Sequence, residues 1–72
     1  MTLLSNINPG KEVSLVNISG GKGIRSRLNA LGLVSGVKLM VLNQSNGGPV
    51  MISVKGSKIA IGHGMATKIL VE

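Results

Sequence analysis

Cysteine, aspartate and all three aromatic residue types are absent from this chain of 72 residues. Without cysteine there is neither a disulfide framework nor a thiolate metal site. One histidine, His63, and two glutamates do not supply the four ligands of a structural zinc site. We therefore expect no bound metal and no cofactor. Because the core lacks aromatic rings, Met40, Met51 and Met65 are interpreted as side chains that fill its gaps.

Carboxylates are too few for acid–base catalysis, which needs a titratable pair within reach of a substrate. The chain has Glu12, at the start of a predicted strand, and Glu72, at its last position, and neither has an evident partner. His63 lies between two glycines in a predicted turn, and catalysis would also need a serine and a third, orienting group. Lys22 does not match a phosphate-binding P-loop, because Gly23 follows it where a serine or threonine is required. We expect a protein that is not an enzyme.

Long hydrophobic runs are missing as well. The longest, residues 39–42, is far short of the ~20 residues that span a bilayer. Residues 1–4 lack the basic region and the long apolar region of a signal peptide. The chain is therefore expected to act in the cytoplasm without inserting into a membrane, as a single domain over residues 1–72.

Negative charge is scarce, since eight lysines and arginines face two glutamates and the formal net charge is +6. Such an excess indicates an acidic partner, which is a nucleic acid, a membrane surface or an acidic protein face, unless it serves solubility alone. A basic small barrel that binds nucleic acid is the alternative function, with phosphate contacts from Lys22, Arg25, Arg27 and Lys38. The missing aromatic residues count against it, because small barrels usually stack bases on such side chains.

Residues 20–33 carry the periodicity of a helix. Ile24, Leu28 and Leu31 recur at the spacing of one helix face, and a glycine pair precedes them. Gly32 stands where a left-handed residue would end the helix. This is the one long helix that the sequence predicts.

The rest of the chain reads as short strands joined by tight turns. Strands are predicted at residues 12–18, 37–43, 50–54, 58–61 and 67–71, with turns at 3–10 and 62–66 and a polar loop at 43–49. Five short strands with one helix after the first strand indicate a mainly β fold, a small and strongly bent barrel. An unpaired edge, at strand 50–54 or at the closing strand, leaves formation of a homo-oligomer open.

Short motifs in a fixed order extend over nearly the whole chain. They are Leu4-Ser5, Pro9-Gly10, Gly20-Gly21, Arg27-Leu28, Leu31-Gly32-Leu33, Gly36, Gly48-Pro49, Val54-Lys55-Gly56, and Ala66 with Ile69 and Val71. In this order the chain resembles the FeoA family, the small ferrous iron transport protein A of bacteria and archaea. It departs from the family at Ser35, where proline is frequent, and at His63, where a basic residue is frequent.

The resemblance implies an SH3-like β-barrel and a cytoplasmic accessory role in ferrous iron uptake. Its implied partner is FeoB, the large iron permease that carries a G-protein domain on the cytoplasmic side. The candidate contacts on the helix are Lys22, Arg25, Arg27 and Asn29. Leu33, which follows the helix, is either an apolar anchor for the partner or a core residue, and we favour the core.

Overall fold

The structure, a computed structural model, describes residues 1–44 and 47–72, which form six strands and two α-helices. The strands are β1 (Thr2–Leu3), β2 (Glu12–Ile18), β3 (Lys38–Gln44), β4 (Val50–Val54), β5 (Ser57–Ile61) and β6 (Ile69–Val71). The helices are α1 (Lys22–Ala30) and α2 (His63–Ala66), and a 3₁₀ turn covers Leu4–Asn6. The mainly β class and the position of the helix are confirmed.

The strands pair antiparallel in the order β1-β6-β2-β3-β4-β5. Strand β1 was not predicted, and it pairs Thr2 with Val71, so the two ends of the chain lie side by side. Among the described residues, β1 and β5 are the edges of the sheet. The prediction of a free edge at β4 or β6 is wrong, because each of these strands pairs on both sides.

Aliphatic side chains alone build the core. The buried hydrophobic residues form one cluster: Leu4, Ile7, Val13, Leu15, Ile18, Leu28, Leu33, Leu39, Val41, Val50, Ile52, Val54, Ile61, Ala66, Ile69 and Val71. Met65 packs against this cluster as expected. The interpretation of Met40 and Met51 as core residues is wrong, since each is 37% exposed on the outer face of the sheet.

The end of α1 explains why Leu33 is buried. Gly32 adopts a φ of +91°, and its N–H bonds to the carbonyl of Asn29, while the N–H of Leu33 bonds to the carbonyl of Leu28 over 3.0 Å. This pair of bonds is a Schellman motif, which brings the two leucines together. Leu33 is 0% exposed, which confirms its core position. Leu31 is 46% exposed, so the prediction that it belongs to the buried face of α1 is wrong.

Two of the predicted turns change at their boundaries. In the β4–β5 hairpin, Lys55 and Gly56 have φ of 49° and 83°, the geometry of a two-residue type I′ turn, and β5 begins one residue earlier than predicted. The predicted loop 43–49 begins too early, because β3 continues to Gln44. Residues 45 and 46 of that loop lie outside the described residues.

Candidate functional site

A shallow cleft of about 210 Å³ lies where α1 passes the end of β2. Its lining residues come from β2, α1 and the segment after the helix: Leu15, Asn17, Ile18, Arg25, Asn29, Val34 and Ser35. The lining combines aliphatic carbon, two amides, one hydroxyl and one guanidinium. A cleft with a cation at one side and hydrogen-bonding groups around an apolar wall suits a peptide segment that carries a carboxylate.

Two side-chain bonds fix the rim of this cleft. Arg25 donates from Nε to the carbonyl oxygen of Ile18 over 3.2 Å, so its guanidinium is held beside β2. Ser35 donates from Oγ to the carbonyl oxygen of Val16 over 2.6 Å. This serine stands where the resembled family often has proline, and its hydroxyl ties the segment after the helix to β2. The rim is therefore preorganised on both sides.

The face of α1 toward the cleft carries three of the predicted contacts. Lys22, Arg25 and Asn29 follow one another at spacings of three and four residues, so they share one side of the helix. Arg25 and Asn29 line the cleft together, and all three residues are exposed. We call Lys22, Arg25 and Asn29 the cleft face of α1.

Arg27 does not belong to this face. It lies two positions from both Arg25 and Asn29, which at 3.6 residues per turn places it on the opposite flank of the buried Leu28. As the basic residue of the last turn it lies close to the negative end of the helix dipole. The structure thus separates the five predicted contacts into three on the cleft face, one on the other flank and one, Leu33, in the core.

Lys68 adds a cation to this end of the molecule that the sequence analysis did not identify. The N–H of Ser19 bonds to the carbonyl of Lys68 over 2.6 Å. A Cβ placed on Gly20 would lie 3.8 Å from Lys68 Cδ, so the lysine stem runs past the start of α1. Lys68 lies 38 positions beyond Ala30, the last residue of α1, and the pairing of β2 with β6 brings it to the start of the helix. No local sequence signal identifies such a neighbour.

The residues considered above for catalysis or metal binding are scattered. His63 is exposed at the start of α2, while Glu12 lies on the sheet opposite Met40. Within residues 1–44 and 47–72, no three His, Cys, Asp or Glu residues come close enough to hold a metal ion. No helix in this part of the chain is long and apolar enough to cross a membrane.

The fold and the cleft define a small SH3-like barrel whose one long helix lies beside the sheet. A family model described as the FeoA domain matches residues 2–72. The chain therefore belongs to the FeoA family.

Three relatives illustrate the similarity. A protein of Methanocaldococcus jannaschii named "Putative Fe(2+) transport protein A" is 51% identical over 63 residues, which is 88% of this chain and 76% of the relative. The crystal structure of an iron uptake regulatory protein (FeoA) is 39% identical, with a TM-score of 0.94 over 99% of this chain and 95% of that one. A zinc complex of Stenotrophomonas maltophilia FeoA, described as an SH3 domain protein, is 19% identical, with a TM-score of 0.85 over 100% of this chain and 91% of that one. The last comparison concerns the fold alone.

Proposed function

We propose that this protein is a non-enzymatic accessory of ferrous iron transport that acts in the cytoplasm, as one folded unit over residues 1–72, by binding the permease FeoB. Membership of the FeoA family and the name of the 51% identical relative support the transport role. The observation that carries the binding role is the cleft face of α1, where Arg25 and Asn29 line a preorganised cleft.

The charge at this end of the molecule selects an acidic partner segment. Lys22, Arg25 and Lys68 gather at the start of α1 and beside it. Neither glutamate lines the cleft: Glu12 is on β2 opposite Met40, and Glu72 follows β6 with its backbone bonded to Ser14. The charged side chains that an approaching carboxylate meets at this end are therefore all positive. Their attraction favours both the encounter with the partner and its orientation in the cleft.

Apolar contact supplies the second half of the interaction. Val34 lines the cleft and is exposed, whereas Leu31, which is also exposed, follows Arg27 by four residues and so lies on the opposite flank of α1. Val34, rather than the buried Leu33, therefore offers an apolar surface to the partner. The expected ligand is a segment of the permease that presents an acidic side chain to Arg25 and an aliphatic one to Val34.

The experiment is a calorimetric titration of the full-length permease in detergent with the wild-type chain and with two matched variants. Lys22→Glu reverses a charge on the cleft face, and Arg27→Glu makes the same change on the opposite flank. We expect Lys22→Glu to weaken binding by about three- to tenfold, because a rim attraction becomes a repulsion. Arg27→Glu is expected to change the affinity less than about twofold, since the helix width exceeds the ~8 Å screening length at physiological salt.

Stability and affinity move in opposite directions in this design. A glutamate at position 22 faces the positive end of the helix dipole, so Lys22→Glu should stabilise α1 while it weakens binding. Equal affinities for wild type and Lys22→Glu would remove the cleft face from the interface. Tight RNA or DNA binding with a steep salt dependence, in place of permease binding, would support the nucleic-acid alternative instead.

A further inference from the structure

The outer face of β3 and β4 exposes three large apolar side chains that the cleft does not use. Leu39 and Val41 point into the core, so Met40 and Leu42 project from the opposite face of β3. Met51 projects from the same face of β4, between the buried Val50 and Ile52. We call Met40, Leu42 and Met51 the outer patch.

The strand register makes the outer patch continuous. Met40 lies opposite Ser53, which is two residues from Met51 on β4, so the two methionines are diagonal neighbours across the strand pair. The register of the β3–β4 pair shifts between Val41 and Asn43, so that Asn43 lies opposite Met51. Leu42 precedes Asn43 and is therefore next to the cross-strand pair that contains Met51. Diagonal neighbours of this kind are within reach of long side chains. On the far side Met51 faces Ala60 of β5, which is small and exposed.

Lysines border the outer patch. Lys38 projects from β3 on the same face as Met40. Lys58 of β5 lies opposite Ser53 of β4, and Ser53 in turn lies opposite Met40 of β3. Lys55 stands at the tip of the hairpin in the turn between β4 and β5. One carboxylate, Glu12, lies opposite Met40 on β2. The face therefore has an apolar centre and a basic border.

This face is separate from the proposed permease site. The cleft is built from β2, α1 and the segment after the helix, whereas the outer patch is built from β3 and β4. Lys22, Arg25 and Lys68 lie at the cleft end, apart from the lysines that border the outer patch. The outer patch needs an explanation of its own.

We propose that the outer patch rests on the surface of an anionic lipid bilayer. Unbranched methionine side chains adapt to an irregular apolar surface, and lysines can bury their stems while their ammonium groups stay with the lipid headgroups. An apolar face flanked by lysines binds at a bilayer interface through two contributions. These are the burial of apolar side chains and the attraction of the lysines to anionic lipid. The net charge of +6 adds a long-range attraction to the same surface.

The same residues fit other partners less well. A second copy of the chain docking through a twofold axis would bring Lys38 and Lys58 against the same lysines of its neighbour, which repel. A nucleic acid would meet carbon at the centre of the patch and no aromatic ring on which to stack.

The test measures partitioning of the wild-type chain onto vesicles by sedimentation. One vesicle type is phosphatidylcholine alone, and the other mixes phosphatidylcholine and phosphatidylglycerol in equal parts. We expect binding to the mixed vesicles only, with an affinity that falls as salt is added. The Met40→Ser/Met51→Ser variant should partition about tenfold less, because two apolar contacts are lost. The Lys38→Gln/Lys58→Gln variant should partition about 30-fold less, at about fivefold per lysine.

The matched control is Leu31→Ser/Val34→Ser, which removes two exposed apolar residues outside the outer patch. Its partitioning should equal that of the wild type. All substituted positions are exposed, so circular dichroism should show an unchanged fold.

Three results would overturn the proposal. They are absence of binding to the mixed vesicles, an equal loss of binding in the control variant, and a wild-type dimer that Met40→Ser/Met51→Ser dissociates in sedimentation velocity. The last result would assign the outer patch to a second copy of the chain. Each of these results leaves the permease proposal intact, because all three are measured on vesicles or on the chain alone, without the permease.

Discussion

Arg25 donates a hydrogen bond from its Nε to the carbonyl oxygen of Ile18 over 3.2 Å, and this bond ties the middle of α1 to the end of β2. The sequence named Arg25 and Arg27 alike as candidate contacts on this helix. The structure makes them different, because one arginine shapes the cleft and the other lies on the far side of the helix.

This difference predicts unequal effects on stability. Arg25→Met keeps an apolar stem and removes the donor, so it should lower the free energy of unfolding by about 1 kcal/mol. Arg27→Met removes only a positive charge that interacts favourably with the C-terminal end of the helix dipole. It should lower the free energy of unfolding by about 0.5 kcal/mol or less. Urea denaturation of the two variants measures both values. Equal costs would show that the bond to Ile18 contributes nothing.

Two glycines at the start of α1 should respond in opposite directions to the same substitution. Gly20 has a φ of +117°, and a Cβ there would lie 3.1 Å from Ile24 Cδ1. Gly23 is helical, and a Cβ there would have open space. Gly20→Ala should therefore destabilise the fold by about 1–2 kcal/mol, and Gly23→Ala should stabilise it by about 0.5–1 kcal/mol.

Thermal unfolding of the two alanine variants checks this prediction. In a domain of this size, 1 kcal/mol corresponds to a shift of about 4–8 °C in Tm. A lower Tm for Gly23→Ala than for wild type would contradict the described conformation of the first helical turn. A Gly20→Ala variant as stable as wild type would contradict the tight approach of Ile24.

The two leucines that follow α1 provide a third comparison. Leu33 is fully buried beneath the Schellman turn, so Leu33→Ala should cost about 2–5 kcal/mol. Leu31 is exposed, and Leu31→Ala should change stability by less than about 0.5 kcal/mol. Equilibrium denaturation separates these values easily. If Leu33→Ala unfolded no more readily than Leu31→Ala, the core position of Leu33 would be wrong.

Local signals were sufficient for most of the fold. The bounds of β2 and β4 agree with the predicted strands, because their aliphatic residues lie between clear glycine and proline turns. Gly32 was predicted to end α1, and its positive φ does so. Local sequence decides these features, so the sequence alone is enough to find them.

Features that depend on distant pairing were missed. Two residues of β1 carry no readable alternation, and they become a strand only because Val71 and Leu70 lie beside them. Met40 and Met51 read as core residues because they are large and apolar, yet the uncovered outer face of β3 and β4 leaves both exposed. Which face of a strand is covered is a property of the whole sheet.

The candidate site divides in the same way. Lys22, Arg25 and Asn29 were among the candidates that the sequence placed on the helix, but so was Arg27, which lies on the opposite flank. The partners that complete the cleft, Asn17 and Ser35, come from other segments and are joined to α1 only by the fold. Sequence reasoning could therefore identify the helix but not the cleft.

The absence of cysteine allows the central claim to be tested by footprinting. Single cysteines are introduced by Asn29→Cys on the cleft face, Arg27→Cys on the opposite flank and Asn8→Cys in the exposed turn before β2. The rate of maleimide alkylation of each variant is measured by mass spectrometry with full-length permease in nanodiscs and with empty nanodiscs.

If the cleft face binds the permease, saturating permease should slow alkylation of the Asn29→Cys variant several-fold. The Arg27→Cys and Asn8→Cys variants should react at the same rate in both samples. Protection of either control with no protection of Asn29→Cys, or equal rates at all three positions, would contradict the account.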